Sequence, residues 1–233
     1  MFLNNYYQQQ DQTIQVSRQQ ASDFAKSIAG DFNPIHDVDA KRFCVPGDLL
    51  FALVLNKYGV SQHMHFTFSG MVGDGVELIF PEMSDDEIFI KDVADKTYLS
   101  IEHSGENNAN PDLSDNLSRR YVEFSGQTFP HILVPLMAEH NVMVNPARPL
   151  VIYESMTINI DQLDISEPEL ELTDSTLNVE GKRGSVSLKF SVSENGIIVG
   201  SGEKTMVMSG LREFDQSAID QLVDDYAVRK QSY

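Results

Sequence analysis

The sequence predicts an α+β chain built twice over, each half a curved antiparallel sheet wrapped around one helix, with the halves at residues 1–105 and 106–233. Three observations carry that expectation. Two segments, one after Pro46-Gly47 and one from about Pro130, read as apolar helices, and the first is apolar almost all round, as helices buried on most sides are. Each is followed by a series of strand-like runs bounded by turn residues. A Gly-, Asn-, Pro- and Asp-rich stretch at 104–116 separates the two series and reads as a linker. The order short helix, buried helix, strands therefore recurs, the pattern of an architectural duplication, and strands in a row behind one greasy helix describe a sheet around that helix.

The elements follow in order. Residues 13–16 alternate and predict a short strand. Ser17 and Gln20 form a capping box that opens a helix, whose apolar stripe is Ala21, Phe24, Ala25 and Ile28 and which Gly30 ends. A polar loop runs from Asp31 to His36. The next helix carries Leu49, Leu50, Ala52, Leu53, Val54 and Leu55. Strands are expected at 63–68, 76–80, 87–92 and 97–103, parted by turns at Gly70, 73–75, Ser84-Asp85 and Asp95. Beyond the linker come a helical segment at 117–124 and the helix carrying Ile132, Leu133, Leu136 and Met137. Strands follow near 150–160, 168–179, 184–193 and 197–208, the last two joined by Asn195-Gly196, a strong hairpin signal. Residues 215–226 predict a short amphipathic helix with Ala218, Ile219, Leu222 and Tyr226.

Composition excludes several classes of function. The chain has 233 residues, 41% hydrophobic, enough to bury a sizeable core. Its 35 Asp and Glu against 17 Lys and Arg give a net charge of −18. Nucleic-acid binding needs the opposite surplus, and an anionic membrane surface is disfavoured for the same reason; the acidity reads as a solubility charge. No apolar run approaches the roughly 20 residues that cross a bilayer, and the first residues lack the basic and apolar regions of a signal peptide. The single cysteine, Cys44, fits a reducing compartment, and the expectation is a cytoplasmic protein.

The chemistry gathers at Ala29-Gly30-Asp31-Phe32-Asn33-Pro34-Ile35-His36. An Asp and a His close together on one loop suit general acid–base work. Asp31 and His36, on a tight loop after a helix, are able to converge on one water. Asn33 and Pro34 fix that loop, Asn by bonding nearby backbone and Pro by restricting the residue before it. The helix start after Pro46 supplies free N–H groups that suit a developing negative charge.

Residues 24–36 resemble the signature of MaoC-like (R)-specific enoyl-CoA hydratases, hotdog-fold enzymes of acyl-thioester chemistry and fatty acid metabolism, and Pro46-Gly47-Asp48-Leu49-Leu50 resembles the start of their central helix. The resemblance covers roughly residues 20–55. It implies a double hotdog, Asp31 and His36 as the catalytic pair, Asn33, Gly47 and Asp48 against the substrate, and an oxyanion site at Gly47 whose missing side chain lets the thioester approach. It implies reversible hydration of a trans-2-enoyl thioester on CoA or acyl carrier protein, with no metal or redox cofactor, and is compatible with a homodimer. Three departures stand out. The stretch from His36 to Gly47 is shorter than the family's. Asp48 places a carboxylate where it would compete for the helix-start N–H groups and repel an oxyanion. Leu55 and Asn56 stand where some members carry a serine. On these departures rests the alternative, a hotdog protein that binds an acyl thioester or another small ligand without catalysis.

Other signals have ordinary explanations. His63 and His65 share a strand face, which suits an exposed polar face better than a metal pair without further ligands. Asp37 and Asp39 read as solvated loop charges, and Arg119-Arg120 and Lys182-Arg183 as surface pairs. Cys44 has no activating base beside it and reads as structural.

Overall fold

A computed structural model describes residues 2–84 and 87–233. The expected turn at Ser84-Asp85 falls partly outside the described residues. After a 3₁₀ turn at Phe2–Asn5 comes a hairpin of β1 (Gln8–Gln10) and β2 (Thr13–Gln15). Ser17 then caps α1 (Arg18–Phe24) with the full capping box to Gln20. The helix widens into a π turn over Ala25–Ala29, and Gly30 closes it at φ +65°. The region left-handed in φ favours glycine there.

α2 (Gly47–Tyr58) is buried along nearly its whole length, from Asp48 to Leu55 and at Tyr58. β3 (Val60–Phe68) follows, then a minimal β4 (Leu78–Ile79), β5 (Glu87–Asp92) and β6 (Thr97–Asn108). The strand expected at 76–80 shrinks to its two middle paired residues.

The linker expected at 104–116 is not slack. β6 runs to Asn108 and α3 (Pro111–Gly126) begins three residues later. The polar residues there are hydrogen-bonding devices. Asn107 donates to the Tyr58 carbonyl at 3.1 Å and Asn108 to the Leu163 carbonyl at 2.9 Å. Asn110 accepts from the Asp112 N–H at 3.0 Å, with Pro111 at the first helical position, where a missing N–H costs nothing. A composition that resembles a flexible connection is here a strand end and a capped helix start. The helix expected at 117–124 is consequently twice that length.

After α3 come the short α4 (Thr128–His131) and α5 (Leu133–Glu139), then β7 (Val142–Met143), β8 (Val151–Ile160), β9 (Glu169–Glu180), β10 (Arg183–Glu194), β11 (Ile197–Ser209), β12 (Arg212–Glu213) and α6 (Gln216–Ser232). Asn195 and Gly196 both take positive φ, 53° and 77°, as the tight β10–β11 hairpin requires. α6 extends beyond the expected 215–226, with Asp215 as its cap.

Ten strands form one antiparallel sheet in the order β1-β2-β4-β5-β6-β3-β8-β11-β10-β9. Strands before residue 109 fill one end and those after it the other. They meet at β3 and β8, paired from His63 opposite Asn159 to Thr67 opposite Ser155. A main core gathers α2, α3 and residues from both ends of the sheet. A second cluster joins α5, α6 and the outer strands. The end of α3 presses on the π turn, where a side chain at Gly126 would sit 1.7 Å from the Ala29 carbonyl oxygen. That contact ties the loop at 31–36 to the second half of the chain.

Candidate active site

The loop at 31–36 is held by its own backbone. Asp31 Oδ1 accepts from the Asn33 N–H at 2.9 Å, and Asn33 Oδ1 accepts from the Ile35 N–H at 3.2 Å, capping a single 3₁₀ turn over Pro34–His36. The Asn33 side-chain oxygen is thus spent on shaping the loop. His36 Nδ1 lies 2.7 Å from the Cys44 carbonyl oxygen. A carbonyl only accepts, so Nδ1 carries a hydrogen and Nε2 faces the other side of the ring. That Nε2 lies 3.7 Å from Asp31 Oδ2. The spacing is too long for a direct hydrogen bond and short enough for both groups to meet one small molecule.

Both side chains line a cavity of about 750 Å³, within the range of small-ligand sites. Asp31 keeps 29% of its side-chain surface open and lines the cavity wall. Burial accordingly pushes its carboxyl above the ordinary 3.8, His36 and the Asn33 N–H pull it down, Asp48 pushes it up and Lys204 pulls it down. The cavity runs between the halves, with Gly47, Leu50, Phe68 and Val72 from the first and Leu133, Met137, Val144, Val151, Tyr153 and Met206 from the second.

Gly47 stands at the start of α2 on this wall, where the first N–H groups of a helix lack intrahelical partners. Its missing side chain has a packing reason the sequence did not reveal. A Cβ there would lie 2.7 Å from Tyr153 Cδ1 and 3.3 Å from Phe68 Cε1, so the Tyr153 ring occupies the space.

Asp48 corrects an expectation. Its Oδ1 is buried with no hydrogen-bond partner among the described residues, so it does not bond the helix-start N–H groups. Instead Oδ2 accepts from the Ser125 hydroxyl at 2.6 Å, and the Lys204 ammonium donates to the same hydroxyl. Asp48, Ser125 and Lys204 are 8%, 4% and 5% exposed, and all three line the cavity. Lys204 Nζ also lies 4.3 Å from the centre of the Tyr153 ring, a favourable cation–π distance. The Tyr153 and Tyr121 hydroxyls bond each other, and burial holds both phenols well above their ordinary range, so they stay protonated. Sequence reasoning missed Ser125, Tyr153 and Lys204. A lysine in an alternating strand that ends up facing inward was the one available signal.

α6 closes the site from outside. Tyr226 donates to the Gly30 carbonyl at 3.1 Å, accepts from the Phe32 N–H at 3.3 Å and packs edge-on to Phe32. Burial and the nearby Asp31 push its phenol up to about 12. Asp37 is not a solvated charge: Lys26 Nζ lies 2.9 Å from it and Arg229 Nη1 2.5 Å. Cys44 donates to the Val45 carbonyl at 3.2 Å, and burial pushes its thiol up to about 11. His63 and His65 face Asn159 and Thr157 across the β3–β8 junction, at 3.1 Å and 2.7 Å. No group of three or more His, Cys, Asp and Glu that suits a metal occurs among the described residues. Nor, among them, is any helix long and apolar enough to cross a membrane.

A family model described as "Protein of unknown function (DUF3581)" matches residues 1–217. The chain belongs to this family. The match ends at the start of α6, so most of the helix that closes the site lies beyond it. No curated protein matches the DUF3581 chain in sequence. Among solved structures it is similar to a tesB protein of Mycobacterium avium subsp. paratuberculosis, at 10% identity and TM-score 0.46 over 88% of this chain and 96% of that one. It is also similar to a MaoC-like dehydratase, at 10% identity and TM-score 0.44 over 88% and 98% of the two chains. A conserved protein of unknown function with hot dog fold from Alicyclobacillus acidocaldarius gives 7% identity and TM-score 0.45 over 90% and 98%.

Proposed function

We propose that this DUF3581 protein is a double hotdog, with halves at residues 1–105 and 106–233, that adds water reversibly to a trans-2-enoyl thioester carried on CoA or acyl carrier protein. The observation that carries the reading is the approach of Asp31 and His36 to 3.7 Å on the wall of one cavity, beside the start of α2. The pair takes one proton from water and delivers one to the α-carbon. The oxygen of the water bonds the β-carbon, and the double bond becomes single. Two features favour this chemistry. His36 is fixed with Nε2 free by the Cys44 carbonyl, and Asp31 holds a proton more readily than an exposed carboxyl. The first N–H groups of α2 face the role of polarising the thioester oxygen. The mostly apolar wall between the two halves suits an acyl chain.

The test is an assay of purified protein with crotonyl-CoA and longer enoyl-CoAs, following loss of the enoyl absorbance and release of free thiol together. Loss of enoyl absorbance without thiol is the expected result. Thiol release alone would move the reading to thioester hydrolysis. Binding of enoyl-CoA with neither change would favour the non-catalytic alternative.

A further inference from the structure

The buried chain Asp48–Ser125–Lys204 has no part in the steps above, yet it lines the same cavity as Asp31. A lysine at 5% exposure and a carboxylate at 8% are costly to bury, and each removes the reason for the other to leave. Ser125 links them without direct contact, because one hydroxyl donates to Asp48 Oδ2 and accepts from the ammonium, while the buried Asp48 Oδ1 has no hydrogen-bond partner among the described residues. The three groups come from α2, the last turn of α3 and β11, so the link spans both halves.

We propose that Lys204 is a positioning residue for the catalytic carboxyl: through Ser125 it pins Asp48, and these two opposed charges in the wall of the shared cavity act together on Asp31. A carboxylate in the wall beside Asp31 would, alone, oppose ionisation there and repel any developing oxyanion. A cation held one hydroxyl away offsets it, and in a water-poor cavity charges act over longer distances than in solvent. Asp48 is therefore tolerated next to Gly47 because it does not stand alone. The other groups facing Asp31 are His36 on its own loop and the Tyr226 hydroxyl from α6. Lys26 and Arg229 share Asp37 against the loop, which leaves one positive charge over, and Arg229 and Asp225 of α6 also line the cavity. The catalytic use of this field rests on the hydratase reading, but the field does not.

The experiment reads Asp31 itself. The carboxyl carbons of aspartate are labelled with ¹³C in the full chain, the Asp31 signal is assigned by its loss in Asp31→Asn, and its titration midpoint is followed by NMR. Lys204→Met should move the midpoint up, Asp48→Asn should move it down, and the double variant should return it toward wild type. Ser125→Ala should weaken both single effects. Asp48→Asn keeps shape and size, so it carries the test if Lys204→Met fails to fold. An unchanged Asp31 midpoint in folded Asp48→Asn overturns the proposal whatever the enzyme assay says. A shifted midpoint in a protein silent toward every enoyl-CoA overturns the hydratase reading and leaves the field intact.

Discussion

The two ends of the cavity wall are built in opposite ways. The loop at 31–36 is short-range: Asp31 bonds Asn33, Asn33 bonds Ile35, and His36 leans on Cys44, eight residues away. The Asp48–Ser125–Lys204 chain is long-range, its members 77 and 79 residues apart. A loop shaped by neighbours along the chain keeps its geometry when the surroundings change. A cluster assembled from three distant elements exists only when the fold is complete, and it fails as a unit. The first end is suited to chemistry and the second to holding the halves in register.

The largest expected effect breaks the short-range end. His36→Ala and Asp31→Asn should each lower hydration about 10² to 10⁴-fold, the usual worth of a positioned acid or base. Circular dichroism should stay near wild type for both, because the Asn33–Ile35 bond that caps the loop's turn remains. Loss of folding in both variants would erase the contrast between the two ends.

At the long-range end the effect should fall on stability. Lys204→Met leaves the Asp48 carboxylate buried without its counter-charge and should cost about 3 kcal/mol in urea unfolding. Asp48→Met alone strands Lys204 and Ser125 in the same way, so it should cost more than removal of an exposed helix-start carboxylate would. Removing both charges should cost less than the two single losses added together. Additive losses would show that Ser125 does not couple them.

A smaller effect concerns pH. The folded Asp31 carboxyl is pushed above 3.8 by burial, whereas the unfolded one ionises at the ordinary value. Its contribution to stability is therefore full below that ordinary value and is lost as pH rises through the raised folded value. Asp31→Asn should melt higher than wild type at pH 7, and the difference should narrow in acid. A gain that is equal at both pH values would assign the effect to packing.

The smallest effect is expected at Cys44. With its thiol pushed up to about 11, little thiolate exists near neutrality, and the native chain should react with a disulfide reagent far more slowly than the urea-unfolded chain. Cys44→Ser should change stability by no more than about 0.5 kcal/mol. Equal thiol reactivity in the two states would mean that the loop at this end opens freely.

Much of the fold was legible because its signals are local. The Ser17–Gln20 capping box, the glycine stop at Gly30 and the Asn195-Gly196 hairpin appear where their residues place them, since each depends on a few adjacent backbone groups. Residues 104–116 misled because Asn and Pro serve as helix caps as readily as they fill loops. Asp37 misled because its partners, Lys26 and Arg229, come from distant parts of the chain.

By itself, then, the sequence determined the α+β class, the buried α2, the acidic surface and the loop that turns Asp31 and His36 toward each other. These rest on periodicity, charge and bonds between near neighbours. Only the tertiary structure decided why residue 47 is glycine and what becomes of the carboxylate beside it. The Tyr153 ring, the Ser125 hydroxyl and the Lys204 ammonium reach that spot from β8, α3 and β11, and no local pattern encodes a meeting between elements that far apart.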